Sequence, residues 1–212
     1  MEKLNLIKDY ATNIFLDSKG SHDLDHTLRV HNLCMHIGKK ENADLEILEI
    51  AAILHDIARP EQDRTNGSIC HAKHGATMAK ELLLQMDFDK EKIEKIIHCI
   101  ATHRFRGKDI PISLEAKILY DADKLDSIGA TGIGRAFLFS GEIGARLHDK
   151  NVNLDNTEEY SKEDTAYREY LVKLIKIKDK LLTTEGKRLA KERHEFMEKF
   201  FERLNKEFDG EL

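Results

Sequence analysis

The 212-residue chain has no tryptophan, only two prolines and only three cysteines. With Pro60 and Pro111 alone to break helices, long helical segments meet little interruption, and strand-like alternation of apolar and polar residues is nearly absent. Cys34, Cys70 and Cys99 are odd in number and form no C-x-x-C pair, which argues against a disulfide framework or a thiolate zinc ribbon and fits a reducing cytoplasm. No apolar run approaches the roughly 18 residues needed to span a bilayer. Asp9 falls where a secretory signal needs an unbroken apolar core. An excess of positive charge is also missing: 34 Lys+Arg stand against 39 Asp+Glu, a net charge of −5. Such a balance disfavours a protein built to neutralise nucleic-acid phosphates or an anionic membrane surface. The expectation is a soluble cytoplasmic protein whose partners include neither a nucleic-acid polymer nor a membrane.

Histidine, by contrast, is abundant and clustered. Nine of the eleven (His22, His26, His31, His36, His55, His71, His74, His98 and His103) fall between residues 22 and 103. Apolar spacing at the helical period runs through nearly the whole chain, as in Leu4, Ile7, Ala11 and Ile14, then Leu24, Leu28, Leu33 and Ile37 in a helix capped near Ser21. A third helix starts after Asp44, a good N-cap, and must stop before Pro60. Further helices are predicted over 71–86, 89–104, 112–127 and 132–144, then a polar, aperiodic and mobile loop over about 146–161, then helices over 162–182 and 185–208. The fold class is therefore all-α. No repeat or domain boundary is visible, so residues 1–212 read as one domain, with a core over about 20–145 completed by the C-terminal helices over about 162–208.

His55 and Asp56 end an otherwise apolar run, Ala51-Ala52-Ile53-Leu54-His55-Asp56. A buried carboxylate costs several kcal/mol unless it is paired or bound to metal, and Lys and Arg are missing from the preceding turn. The carboxylates of Asp121-Ala122-Asp123-Lys124-Leu125-Asp126 and the other histidines supply the mixed N and O ligands that a divalent cation prefers. Helical geometry alone does not choose among Asp121, Asp123 and Asp126.

Three blocks in order, Asp25-His26-Thr27-Leu28-Arg29-Val30, Leu54-His55-Asp56-Ile57 and Asp121 to Gly129, resemble the H…HD…D signature of the HD superfamily of metal-dependent phosphohydrolases. The resemblance runs nearly end to end and is closest to small single-domain members. It includes Ser21-His22, the segment His98 to Phe105, the block Asp126 to Arg135 and the pattern from Tyr170 to Met197. It departs at Ala166-Tyr167-Arg168, where a histidine is common, and no catalytic role is assigned there. The resemblance implies a helical bundle with the metal site in its interior, whose ligands are His26, His55, Asp56 and Asp123. In two-metal members, histidines of this interval hold a second ion. Here His74 and His98 are the candidates for that ion or for contact with the ligands.

The candidate catalytic groups are Asp56, Lys124 and His103; Arg104, Lys124 and His22 are the candidate substrate contacts. Arginine grips phosphate through two parallel N–H groups, which lysine cannot copy. His31, His36, His148 and His194 read as surface or packing residues. The expected activity is hydrolysis of a nucleotide phosphate ester or anhydride by metal-activated water. Mn²⁺ is favoured among Mn²⁺, Fe²⁺, Co²⁺, Ni²⁺, Zn²⁺ and Mg²⁺. A phosphorylated small molecule is the expected partner, and the amphipathic C-terminal helices could close the core or make a homodimer. Two alternatives stand beside this reading: a non-catalytic ligand-sensing module stapled by metal, and a di-iron oxygenase of the same superfamily.

Overall fold

A computed structural model describes residues 2–16, 24–65, 67–104 and 109–212. Ser21 and His22 lie outside them. The described residues form ten α-helices, two short 3₁₀ segments and no strand, as the all-α expectation required. No helix among them is long and apolar enough to cross a membrane.

The chain divides into two compact units, Met1–Asp123 with Leu182–Glu185, and Lys124–Leu181 with Gly186–Leu212. The first contains α1 (Glu2–Phe15), α2 (Leu24–Glu41), α3 (Leu45–Leu54), α4 (Arg59–Arg64), α5 (His71–Gln85) and α6 (Lys90–Thr102). It also holds all of α7 (Leu114–Asp126) except its last three residues.

The central element of this unit is α3. It is launched by Asp44, whose Oδ1 accepts the backbone N–H groups of Glu46 and Ile47 at 3.0 and 3.2 Å. Seven of its ten residues are buried. Such a helix must be covered on several sides, and it packs against α1, α2 and α6. Fully burying each Leu or Ile side chain is worth about 1.5–3 kcal/mol. The α2 approach is close: a Cβ on Gly38 would press on the terminal methyls of Leu45 and Leu48, which would have to shift. In α6, Ile93, Ile96 and Ile100 recur at the helical period and face inward. α5 packs on both α6 and α4.

α3 ends at Leu54, well before Pro60, and Pro60 instead lies in the first turn of α4, a helix that the sequence does not forecast. Proline tolerates the first turn of a helix because the N–H it lacks has no intrahelical partner there.

The second unit contains α8 (Gly129–Glu142), α9 (Ala166–Val172) and most of α10 (Thr184–Phe208). Gly129 has φ of 78°, and a Cβ on Gly132 would collide with the Ser127 carbonyl, so the turn from α7 into α8 requires both glycines. Tyr170 stacks on Phe201, and Tyr167 packs on both.

Two predicted elements differ here. The stretch 146–161 is non-helical except for Leu154–Asn156, but it is tied down. Arg168 is buried, and it donates to Thr157 and to Asp164 Oδ1, while His148 pairs with Asn205 and Lys150 with Asp209. The single helix predicted over 162–182 is instead α9 followed by a 3₁₀ segment, Leu174–Lys180, with the break at Lys173. The buried residues of that segment, Leu174 and Ile177, are three apart, which suits the three residues per turn of a 3₁₀ helix.

Candidate metal centre

Six side chains converge inside the first unit. His26 comes from the first turn of α2 and Asp123 from α7. His55 caps the C-terminus of α3, Asp56 lies in the turn that follows, His71 is the first residue of α5, and His103 caps the C-terminus of α6. All except Asp123 are between 0 and 5% exposed.

They form two triads of possible ligands, His26 with His55 and Asp123, and Asp56 with His71 and His103. In the first, His26 Nε2 is 3.4 Å from His55 Nε2 and 3.4 Å from Asp123 Oδ1. In the second, His71 Nε2 is 3.2 Å from His103 Nε2, and Asp56 Oδ1 is 3.3 and 3.4 Å from the two. The other oxygen of the same carboxylate, Asp56 Oδ2, lies 3.7 Å from His26 and 3.8 Å from His55. Asp56 thus presents one oxygen to each triad.

The imidazole orientations are set by their far nitrogens. His55 Nδ1 faces the Ala52 carbonyl at 2.7 Å and His103 Nδ1 faces the Ile100 carbonyl at 2.6 Å. A carbonyl only accepts, so each Nδ1 is the protonated nitrogen, and with the ring neutral each Nε2 carries a lone pair. His71 Nδ1 likewise donates to Gln62 Oε1 at 2.8 Å. Burial pushes the His55 imidazole down to about 4 against the opposing pull of Asp56, and pushes His71 down to about 3. Both are neutral at pH 7, the form that ligates metal.

These features test whether a divalent ion fits. In the second triad His71 Nε2, His103 Nε2 and Asp56 Oδ1 face one another, a mixed imidazole and carboxylate set that suits a divalent cation. A metal bonded to nitrogen at about 2.1 Å holds neighbouring ligand atoms about 3.0 to 3.4 Å apart, which matches the closest separations in both triads. The residues fit the group.

The structure brings together His26, His55, Asp56 and Asp123, and of the three carboxylates that helical geometry leaves open it is Asp123 that lies in the cluster. Asp121 is engaged elsewhere, accepting from the Leu182 and Thr183 backbone N–H groups and from the Thr183 hydroxyl. Asp126 pairs with Arg135 at 2.8 Å.

It does not bring His74 and His98 to the site, and that expectation is corrected. His74 pairs with Glu61 at 2.7 Å, and His98 Nε2 accepts the Ile112 N–H at 3.1 Å. Their places are taken by His71 and His103. His98 lies about 140° around α6 from His103, so the two cannot face the same point.

Lys124 is buried, and its side chain leaves α7 about 100° from that of Asp123. Arg104, next to His103, donates to Cys70 Sγ at 3.3 Å. Burial of the Cys70 thiol raises its pKa, but the Lys73 N–H, Arg104 and the Ala72 N–H outweigh that and lower it. Arg59 and Arg104 both bear electrostatically on His71, and Arg59 is a cation that sequence reasoning passed over. His22 falls outside the described residues.

A family profile, described as the HD domain, matches residues 23–128, a span that includes all six converging residues. The chain is 34% identical to the Bacillus subtilis protein YpgQ over 99% of its own length and 96% of the relative's. YpgQ has been solved in complex with ADP; that structure superposes with a TM-score of 0.74 at 32% identity, covering 97% of this chain and 95% of the other. An HD-superfamily hydrolase of Bacillus thuringiensis superposes with a TM-score of 0.77 at 28% identity, covering 98% and 97%. A predicted HD superfamily hydrolase of an uncultured Thermotogales bacterium gives 0.70 at 30%, covering 97% and 92%.

Proposed function

The chain belongs to the HD-domain family, and from that premise we propose that it is a metal-dependent phosphohydrolase acting on a nucleotide phosphate ester or anhydride. His26, His55, Asp56 and Asp123 would hold one divalent ion, and Asp56, His71 and His103 a second, with Asp56 shared. The observation that carries this reading is the pair of ligand triads meeting at one buried carboxylate. Mixed imidazole and carboxylate donors suit Mn²⁺, our first choice, and also Fe²⁺, Co²⁺, Ni²⁺ and Zn²⁺, with Mg²⁺ less favoured.

Bound there, divalent ions supply Lewis acidity toward phosphate oxygens and a hydroxide nucleophile near neutral pH. The protein's part is positioning and charge. The Ala52 and Ile100 carbonyls hold the His55 and His103 rings in their ligating tautomer. Asp56 supplies the negative charge common to both positions, and the catalytic roles go to Asp56, His103 and Lys124. Arg104 offers a planar fork to a phosphate beside the second triad, with Lys124 and His22 as further substrate contacts. A nucleotide is favoured because the relative YpgQ was solved with ADP. We take the whole chain as one functional domain, working in the cytoplasm, as a homodimer or a monomer.

Metal-free protein should be inactive and regain activity with Mn²⁺ or another transition ion, while full activity in excess chelator excludes the reading. A screen of nucleoside and deoxynucleoside phosphates with Mn²⁺, resolved by anion exchange, identifies the bond cut. Turnover of simple phosphomonoesters with nucleotides left untouched would overturn the nucleotide assignment. Metal analysis of protein purified without added metal separates this reading from a non-catalytic sensor and from an iron oxygenase.

A further inference from the structure

Two of the converging histidines sit at helix C-termini, and a third sits at the opposite kind of helix end. His55 and His103 follow the last residues of α3 and α6. The final carbonyls of a helix have no intrahelical N–H to accept, and both rings use one, three residues upstream. His71 is the first residue of α5. A helix N-terminus presents N–H donors instead of carbonyls, so the helix itself has nothing to accept a proton from His71 Nδ1.

The acceptor comes from α4. Gln62 Oε1 lies 2.8 Å from His71 Nδ1 and 3.2 Å from the His71 backbone nitrogen. The backbone N–H can only donate, so the amide atom in both contacts is the oxygen, and Nδ1 is the second donor to it. One side-chain oxygen therefore accepts from an orphan N–H of the helix start and from Nδ1–H of His71, which keeps the ring proton on that side. That leaves the Nε2 lone pair facing His103 Nε2 and Asp56 Oδ1.

We propose that Gln62 is the positioning residue of the second ion: it fixes the tautomer and aim of His71 without touching metal or substrate. The inference rests on the two-ion reading above. It also gives α4 a task, since this short helix carries Gln62 back from the Asp56 turn to the start of α5.

The test compares the parent chain with Gln62→Ala, Gln62→Glu and His103→Ala. Each is stripped with chelator, checked by thermal unfolding and titrated with Mn²⁺ by calorimetry, with electron paramagnetic resonance counting coupled ion pairs. The parent should bind two ions and show the coupled signal. Gln62→Ala should bind the second ion about 10- to 100-fold more weakly and approach the single-site isotherm of His103→Ala. Gln62→Glu keeps the acceptor and should restore both the second site and the coupled signal. Parental two-site binding by Gln62→Ala overturns the proposal, and so does equal loss in Gln62→Ala and Gln62→Glu. A parent chain that binds fewer than two ions overturns the two-ion reading itself, a failure visible before any variant is compared.

Discussion

His71 Nε2 and His103 Nε2 face each other at 3.2 Å, each in a ring whose Nδ1 is already committed as a donor. A divalent cation between them would be ligated by both Nε2 atoms. His103→Ala removes one of the three proposed ligands of that triad and leaves His26, His55 and Asp123 intact. Bound metal should fall from two ions per chain to one. Lewis-acid assistance is worth several kcal/mol, and about 1.4 kcal/mol is tenfold in rate, so turnover should drop about 100-fold or more. Elemental analysis beside initial rates decides it; unchanged metal content and rate would mean that a proton occupies the gap.

Asp56 should be the most costly single loss, because its two oxygens face different triads. Asp56→Ala is expected to abolish binding of both ions and with it all activity, while circular dichroism shows the helices retained. His31→Ala is the matched control. His31 lies about 140° around α2 from His26, and its Nε2 is 3.5 Å from Glu49, a partner outside both triads. A fully metallated, active Asp56→Ala protein would remove the basis of the site.

How much of this was legible in the sequence depends on what each residue is read against. Asp44 is legible because a carboxylate before an apolar run offers helix N–H groups a partner whatever lies around it. His26, His55, Asp56 and Asp123 are legible through the ordered blocks they sit in. Pro60 is ambiguous: a ring that cannot continue one helix suits the first turn of another, and the structure, with α3 already ended at Leu54, uses it for the second purpose. The late start of the helix over 162–182 turns on Thr165, whose side chain accepts the Arg168 N–H and caps α9 at Ala166.

The choice of His71 and His103 over His74 and His98 was not legible from spacing. It depends on which face of α5 and α6 meets the Asp56 turn, a tertiary matter. One local signal does exist, since His55 and His103 both follow an apolar helical run at the helix end, where a free carbonyl awaits an imidazole N–H.

Acid should destabilise the metal-free protein earlier than its carboxylates alone would. His55 and His71 are held near 4 and 3 against 6.5 in the unfolded chain, principally by burial. Above pH 6.5 the imidazoles are neutral in both states and the stability is full. Below it the unfolded chain takes up protons that the folded one refuses, so stability falls with pH until about 4 for His55 and 3 for His71. The slope is about 1.4 kcal/mol per pH unit for each group. Urea unfolding of chelator-treated protein at pH 7, 6 and 5 should show falling midpoints. A midpoint equal at pH 7 and 5 would show that these rings are charged in the fold.

Substituting Arg104 is expected to separate substrate binding from metal binding. It stands next to His103, is half-buried, and among the described residues its hydrogen bond is to Cys70 Sγ, a weak acceptor that leaves most of the guanidinium fork for a stronger one. Removing the side chain in Arg104→Ala leaves all six proposed ligands in place, so two ions should still bind. A hydrogen bond to a charged group is worth about 1.5 to 3 kcal/mol, so KM for the nucleotide identified in the screen should rise about 10- to 100-fold. If Arg104 grips the phosphate equally in ground and transition states, kcat stays near the parental value. Arg104→Lys distinguishes charge from shape: a point charge recovers part of the loss, while bidentate geometry returns only with arginine. Steady-state kinetics of the three proteins at saturating Mn²⁺ supply the comparison. A parental KM in Arg104→Ala would return this residue to the role of a surface cation held by a thiol.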